Sequence, residues 1–155
     1  MATNRVLFLC TGNYYRSRYA EELFNFCAKN EDLGWSAFSR GLAEADSPEN
    51  PGPMSQAALE SLQAKAIVPE GATRYPQFCR LADFDEAQLV VALKDVEHRP
   101  MIEQRFPKIA GRVTYWDVDD LDLKHPADAL AIIDDRVKEL ILTLRALTDR
   151  AQRNP

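Results

Sequence analysis

Near its start the chain reads Val6-Leu7-Phe8-Leu9-Cys10-Thr11-Gly12-Asn13-Tyr14-Tyr15-Arg16-Ser17. The first four residues are apolar and predict a buried strand, the Gly-Asn pair predicts a turn, and a helical pattern begins at Ser17. A helix start carries unpaired N–H groups and the positive end of the helix dipole, so the preceding turn is suited to phosphate, sulfate or a thiolate. The stretch therefore predicts a strand, an anion-binding loop from Cys10 to Arg16, and a helix.

The composition predicts one soluble domain spanning residues 1–155, with 46% hydrophobic residues to form its core. The apolar runs are far shorter than the roughly 20 residues that cross a bilayer, so neither a membrane partner nor a targeting segment is expected. A net charge of −5 argues against a nucleic-acid partner. Three cysteines that match no zinc spacing favour a reducing, cytoplasmic setting, and we expect no metal, no cofactor, and a monomer or weak dimer.

The rest of the chain alternates strands and helices. Strands are predicted at 6–9, 35–39, 89–93 and 111–116, and helices at 17–30, 53–65, 83–86, 95–106 and 127–146. Strands that alternate with helices require right-handed crossovers and form a parallel sheet between two helical layers. The predicted fold is therefore α/β, a four-stranded parallel sheet with helices on both faces, whose ligand crevice lies beyond the carboxyl ends of the strands.

A Cys followed six positions later by Arg is weak evidence by itself, and the Gly, Asn and Ser around them give it weight. Together these residues resemble the signature of the low-molecular-weight protein tyrosine phosphatase family, matched at Cys10, Gly12, Asn13, Arg16 and Ser17. The resemblance covers nearly the whole chain, because 39–42, 50–51 and 116–120 match the family's Ser-Ala-Gly turn, its second helix start and its acid loop. The fold of that family, a flavodoxin-like four-stranded parallel sheet, agrees with the predicted one.

The resemblance implies that Cys10 attacks phosphorus as a thiolate and forms a phosphocysteine, with no cofactor. Arg16 and the loop would hold the phosphate oxygens, Ser17 would donate to the thiolate, and Asn13 would brace a loop that also contains Thr11, Gly12, Tyr14 and Tyr15. Bringing a thiol pKa from ~8.5 to about 5 takes roughly 5 kcal/mol. A helix dipole supplies only about 0.3–2 kcal/mol, so the loop amides, Ser17 and Arg16 would have to supply the rest.

A general acid is needed because an expelled tyrosine phenolate has a conjugate acid with a pKa of about 10. Asp120 is the expected acid, since it aligns with the acidic residue of the family's acid loop. The neighbouring carboxylates of Asp117, Asp119 and Asp122 are its rivals.

Three departures from the family pattern bear on the substrate. Arg18 and Leu121 replace two prolines of the family, and with Arg40 and Leu42 they form the expected substrate rim. The aromatic residue that walls the phosphotyrosine crevice in the family is missing from the acid loop, so Tyr14, Tyr15 or Leu42 are the candidates for that wall. Thr11 resembles the branch of the family that hydrolyses phosphoarginine.

The preferred interpretation is a phosphatase acting on phosphotyrosine in proteins and on small aryl phosphates. The alternatives are a protein-arginine phosphatase and a phosphate-binding module with weak catalysis, the latter suggested by Leu121 and Lys94 where the family has Pro and Asp. An arsenate reductase is least favoured, because it needs two further cysteines after the third strand and residues 94–106 contain none.

Overall fold

The computed structural model of the chain describes residues 4–120 and 125–153. The strands are β1 (Asn4–Cys10), β2 (Trp35–Gly41), β3 (Leu89–Ala92) and β4 (Val113–Tyr115). The helices are α1 (Arg16–Asn30), α2 (Gln56–Ala64), α3 (Leu81–Asp85), α4 (Asp95–Arg105) and α5 (Pro126–Arg153). Two residues named above, Leu121 and Asp122, lie outside the described residues.

The four strands form one parallel sheet in the order β2-β1-β3-β4, which confirms the predicted fold class. Alternate residues of β1 enter two separate apolar cores. Val6 and Phe8 face the core that α1, α2 and α5 cover, whereas Leu7 and Leu9 face the core beneath α3 and α4. Burial on both faces explains why the first strand reads as a continuous apolar run.

Several helix boundaries differ from the prediction. The second helix begins at Gln56, after Ser55 accepts a hydrogen bond from Ala58 N, and not at Pro53. A serine hydroxyl can satisfy an unpaired N–H at a helix start, whereas proline offers no such side-chain acceptor. The last helix runs to Arg153, seven residues beyond the predicted end at 146. Cys27, on the predicted apolar side of α1, is only half-buried, at the edge of the core.

The order of the strands fixes the position of the loop that follows β1. Because β1 lies between β2 and β3, its last residue, Cys10, lies in the middle of the carboxyl edge of the sheet, beside Gly41 of β2. Leu93 follows β3 at the same edge and donates its N–H to the Leu9 carbonyl. No helix in the described ranges 4–120 and 125–153 is long and apolar enough to cross a membrane.

We predict that Phe8→Ala lowers the free energy of unfolding by about 3–5 kcal/mol, the usual cost of removing a phenylalanine from a packed core. Phe8 is fully buried, and its ring centroid lies 6.0 Å from that of Phe24 and 5.6 Å from that of Trp116. The measurement is urea denaturation at neutral pH. The control is Phe26→Ala, because Phe26 is 38% exposed, and an equal loss in both variants would contradict the prediction.

Candidate active site

The loop between β1 and α1 surrounds the sulfur of Cys10. The sulfur is almost fully buried and lies 3.0 Å from Ser17 Oγ. Asn13 Nδ2 donates to the same hydroxyl oxygen at 3.0 Å, which leaves the Ser17 proton available for the sulfur. Since α1 begins at Arg16, the first N–H groups of the helix have no partner within it. The predicted combination of strand, anion loop and helix start is therefore present.

Asn13 is held in the loop by its backbone conformation and by its buried side chain. Its backbone φ of 49° lies in the left-handed region, which asparagine tolerates better than most residues. The buried side chain donates to Ser17 and Ser39 and accepts a hydrogen bond from Gln77 N, at 2.9–3.0 Å. Ser39 in turn donates to Glu21 at 2.6 Å. The curve of the loop is thus fixed by polar groups from three other parts of the chain.

The guanidinium of Arg16 is 2% exposed and is held from two directions. Nη1 donates to the Val118 carbonyl at 3.0 Å, and Nη2 donates to Glu97 Oε2 at 2.5 Å. Asp120 Oδ2 lies 3.7 Å from Nη2. Burial alone would lower the pKa of Arg16, but the Cys10 sulfur and the Glu97 carboxylate raise it above its ordinary value. Arg16 therefore carries a permanent positive charge beside the sulfur.

Glu97 and His98 belong to this site although the sequence interpretation did not include them. Lys94 N donates to His98 Nδ1 at 3.0 Å, so the neutral ring carries its proton on Nε2, which lies 2.7 Å from Glu97 Oε2. Burial lowers the pKa of His98. Burial would raise the pKa of Glu97, but hydrogen bonds from His98, Arg16 and Thr11 hold it far below its usual range. Glu97 is therefore an ionised carboxylate.

A cavity of about 50 Å³ opens above the sulfur. Seven residues line it: Cys10, Gly12, Tyr14, Tyr15, Arg16, Asn50 and Asp120. Asp120 is therefore close to the predicted nucleophile, whereas its rivals Asp117 and Asp119 contact Lys94 Nζ at 2.5 and 2.6 Å. The structure brings the predicted nucleophile, arginine and acid together around one cavity.

Two of the expected rim residues are inside the protein, and those predictions are wrong. Arg18 is fully buried, because its guanidinium donates to the carbonyls of Pro53 and Gly71 at 3.0 and 2.7 Å. Leu42 is 1% exposed and packs in the core beneath α3 and α4. Neither side chain can therefore contact a substrate above Cys10.

Arg40, a third expected rim residue, does not line the cavity above Cys10 either, and the same holds for the loop residue Thr11. Arg40 lies 3.4 Å from Asp83 and faces a different cavity with Phe78 and Arg80. The hydroxyl of Thr11 donates to Glu97 at 2.6 Å and is turned toward α4. Leu121 lies outside the described residues, so its place on the rim stays a prediction.

Asn50 is a cavity residue that the sequence analysis used only as a helix marker. Its amide nitrogen would lie 2.8 Å from a Cβ added to Gly12. This close approach explains why the loop has glycine at that position, since any side chain would displace Asn50. A signal was present in the sequence, because the breaker-rich segment around Asn50 follows β2 at the carboxyl edge of the sheet.

The donor set at this site does not suit a metal ion. Within 4–120 and 125–153, no group of three or more His, Cys, Asp or Glu side chains is placed to hold one. The site instead offers N–H donors and a guanidinium, which complement an oxyanion such as phosphate.

Comparison with known proteins agrees with this geometry. The model of the family described as low molecular weight phosphotyrosine protein phosphatase matches residues 5–149. A low molecular weight protein tyrosine phosphatase from T. tengcongensis is 25% identical, covers 99% of this chain and 100% of its own, and has a TM-score of 0.70. The YwlE arginine phosphatase from Geobacillus stearothermophilus is 28% identical over 98% and 97% of the two chains, with a TM-score of 0.70.

A third structure, Wzb from Vibrio vulnificus in complex with benzylphosphonate, is 18% identical. It covers 91% of this chain and 99% of its own, with a TM-score of 0.76. At that identity the likeness shows the fold alone. No curated protein sequence matches the chain.

We predict that His98 makes the folded protein less stable as the pH falls below about 6.5, the unperturbed pKa of histidine. The unfolded chain binds a proton on His98 there, but burial lowers the pKa of His98 in the folded state, so the folded chain does not. One proton changes the free energy of unfolding by at most about 1.4 kcal/mol per pH unit. The test compares urea denaturation of wild type and His98→Gln between pH 7.5 and pH 5.

The stability of His98→Gln should depend less on pH than that of wild type across this range. The matched control is His125→Gln, because His125 is exposed. If the stability of wild type and His98→Gln changes in parallel with pH, His98 is not the group that titrates.

Proposed function

Because the chain belongs to the low molecular weight phosphotyrosine protein phosphatase family, and so to the cysteine-dependent phosphatases, we propose that it removes phosphate from phosphotyrosine in proteins. Cys10 is the proposed nucleophile, Arg16 the phosphate ligand and Asp120 the general acid. The observation that supports this assignment best is the position of all three around one cavity. Small aryl phosphates, which carry the same phosphate–oxygen–aryl linkage, are proposed as further substrates.

In the proposed mechanism the thiolate of Cys10 attacks phosphorus as the bond to the tyrosine oxygen breaks. The Ser17 hydroxyl, 3.0 Å from the sulfur, stabilises the thiolate before the attack. Arg16 and the unpaired N–H groups at the start of α1 bind the non-bridging oxygens, whose charge is spread in the transition state. Asp120 gives its proton to the departing phenolate, and phosphocysteine remains.

The second step is the hydrolysis of phosphocysteine. The carboxylate of Asp120 takes a proton from a water molecule, which attacks phosphorus and displaces the Cys10 thiolate. Inorganic phosphate then leaves the loop. Tyr15 is an unsuitable proton donor, because burial and the charge of Asp120 raise its pKa to about 12.

Aromatic side chains support phosphotyrosine as the substrate. Tyr14 and Tyr15 line the cavity, and their hydroxyls are tied back to the carbonyls of Pro51 and Pro126 at 2.7 and 3.1 Å. Rings held in this way can pack against the flat phenyl group of a phosphotyrosine. They are also the residues named beforehand as candidates for the wall.

Phosphoarginine is the second candidate, and charge is the observation that favours it. Glu97 and Asp120 place two carboxylates near Arg16, 2.5 and 3.7 Å from Nη2. A cationic guanidinium next to the phosphate would be attracted to such a site. The relative from Geobacillus stearothermophilus is itself described as an arginine phosphatase. Thr11, which first suggested this substrate, adds less support because its hydroxyl is bonded to Glu97.

We also propose that the enzyme works in the cytoplasm as a monomer or weak dimer, without a nucleic-acid partner. All three cysteines are unpaired in the structure, which suits a reducing compartment. The net charge of −5 disfavours binding to a polyanion.

We predict that Cys10→Ser abolishes hydrolysis of an aryl phosphate and that Asp120→Asn lowers kcat by roughly 10²–10⁴-fold, the usual contribution of general acid catalysis. Steady-state kinetics with p-nitrophenyl phosphate and a phosphotyrosine peptide are the measurement. Asp117→Asn is the matched control, because its carboxylate is 79% exposed and paired with Lys94. A large loss in Asp117→Asn and none in Asp120→Asn would reassign the acid.

The substrate preference is tested with peptides that carry phosphotyrosine, phosphoarginine or phosphoserine. We expect the highest kcat/KM for phosphotyrosine, and a loss of up to about tenfold for that peptide in Tyr14→Ala, because the variant lacks one ring of the wall. Tyr75→Ala is the control, since Tyr75 is 62% exposed and outside the cavity. Faster hydrolysis of phosphoarginine would select the second candidate, and phosphate binding without turnover would exclude both.

A further inference from the structure

Three hydrogen-bond donors converge on a single oxygen of Glu97. Oε2 accepts from Arg16 Nη2 at 2.5 Å, from Thr11 Oγ1 at 2.6 Å, and from His98 Nε2 at 2.7 Å. The donors come from the loop after β1, from the first turn of α1 and from α4 itself. Glu97 thus connects α4, the helix that follows β3, to both ends of the loop around Cys10.

The hydrogen bond to Glu97 helps to fix the orientation of the Arg16 guanidinium. A guanidinium has five N–H groups in one plane. One is donated to the Val118 carbonyl and one to Glu97, both on residues that do not line the cavity above Cys10. Three remain, and they lie in the plane that these two contacts define. An arginine fixed in this way loses little freedom when it binds a phosphate.

The same carboxylate adds negative charge to a site that must bind a dianion. Arg16 brings one positive charge, while Glu97 and an ionised Cys10 bring two negative ones. Lys94, which follows β3, is already paired with Asp117 and Asp119. Glu97 therefore repels bound phosphate from a short distance, in a partly buried place where screening by solvent is weak.

We propose that Glu97 is a positioning residue that orients Arg16 for phosphate and, through its negative charge, weakens the binding of inorganic phosphate so that the product is released. The inference rests on the proposed function in one respect, since it takes Arg16 as the phosphate ligand. The orienting effect and the charge effect act in opposite directions on phosphate affinity. Two substitutions at position 97 separate them.

Glu97→Gln removes the charge but can keep the geometry. All three donors use Oε2, so the carbonyl oxygen of glutamine, which has two lone pairs, can still accept from Arg16 and from one of the other two donors. Glu97→Ala removes the charge and the acceptor together. Glu103→Gln is the matched control, because it makes the same change of charge at an exposed position of α4.

The experiment is isothermal titration calorimetry of inorganic phosphate into each variant, with Arg16→Ala to show that binding occurs at this site. We expect Glu97→Gln to bind phosphate about tenfold more tightly than wild type, the effect of removing one nearby charge. Glu97→Ala should bind phosphate at least several-fold more weakly than Glu97→Gln, because alanine offers no oxygen that restrains Arg16. Glu103→Gln should match wild type, and thermal melting confirms that each variant is folded.

Three results would overturn the proposal. The first is an affinity of Glu97→Gln no higher than that of wild type, the second is equal affinity in Glu97→Gln and Glu97→Ala, and the third is undiminished binding in Arg16→Ala. Calorimetry needs no turnover. A chain that bound phosphate but hydrolysed no phosphopeptide would therefore contradict the proposed function and would still test the role of Glu97. In an active enzyme, product inhibition by phosphate should strengthen in Glu97→Gln by the same factor.

Discussion

The site depends on the buried side chain of Asn13. A loop that wraps a sulfur must turn its N–H groups inward, and here the turn requires a left-handed residue at that position. Asn13 meets this need and uses both ends of its amide, toward Ser17, Ser39 and Gln77. Because the amide is fully buried, losing any of these partners would leave a polar atom unsatisfied. The shape of the loop is therefore coupled to the packing of β2 and of the segment before α3.

A network of buried charged side chains supports the hydrogen bonds of Asn13. Glu21 accepts from Ser39 and pairs with Arg74 at 2.7 Å, and Glu22 accepts from the N–H groups of Glu70 and Gly71. Arg18 donates to carbonyls of two segments, and burial together with the charge of Arg74 lowers its pKa to about 10. Buried charges are costly unless they are paired. This network ties Pro53, Gly71 and Arg74 to α1, and Pro53 lies only three residues after the cavity residue Asn50.

The sequence predicted the sheet and the loop well, because both depend on local patterns. A four-residue apolar run, a Gly-Asn turn and a helical repeat are sufficient to place β1, the loop and α1 within a few residues. Cys10 and Arg16 were predicted from the loop motif, and Asp120 from the resemblance to the family's acid loop. The topology, which collects the carboxyl ends of parallel strands, explains how all three come to line one cavity. Their chemical roles stay predictions until the variants are measured.

The prediction failed where the outcome depends on long-range packing. Arg18 is expected on the rim because it replaces a proline of the family directly after Ser17, and an arginine is usually exposed. The Arg18 guanidinium is buried because it donates to the carbonyls of Pro53 and Gly71, and no local sequence pattern predicts these contacts. Leu42 is expected on the rim as a candidate for the missing wall of the crevice, but it turns into the core beneath α3 and α4. Glu97 was missed because its contact with Arg16 spans 81 positions of the chain.

The placement of Arg16 depends both on a local sequence pattern and on long-range contacts. Its position in the chain is local, six residues after Cys10 at the first turn of α1. Its orientation is set from far away, by the Val118 carbonyl after β4 and by Glu97 on α4. An arginine held by α4 and by the segment after β4 cannot shift unless one of these two elements shifts as well. The precise placement of Arg16 therefore depends on how both elements pack against the loop after β1.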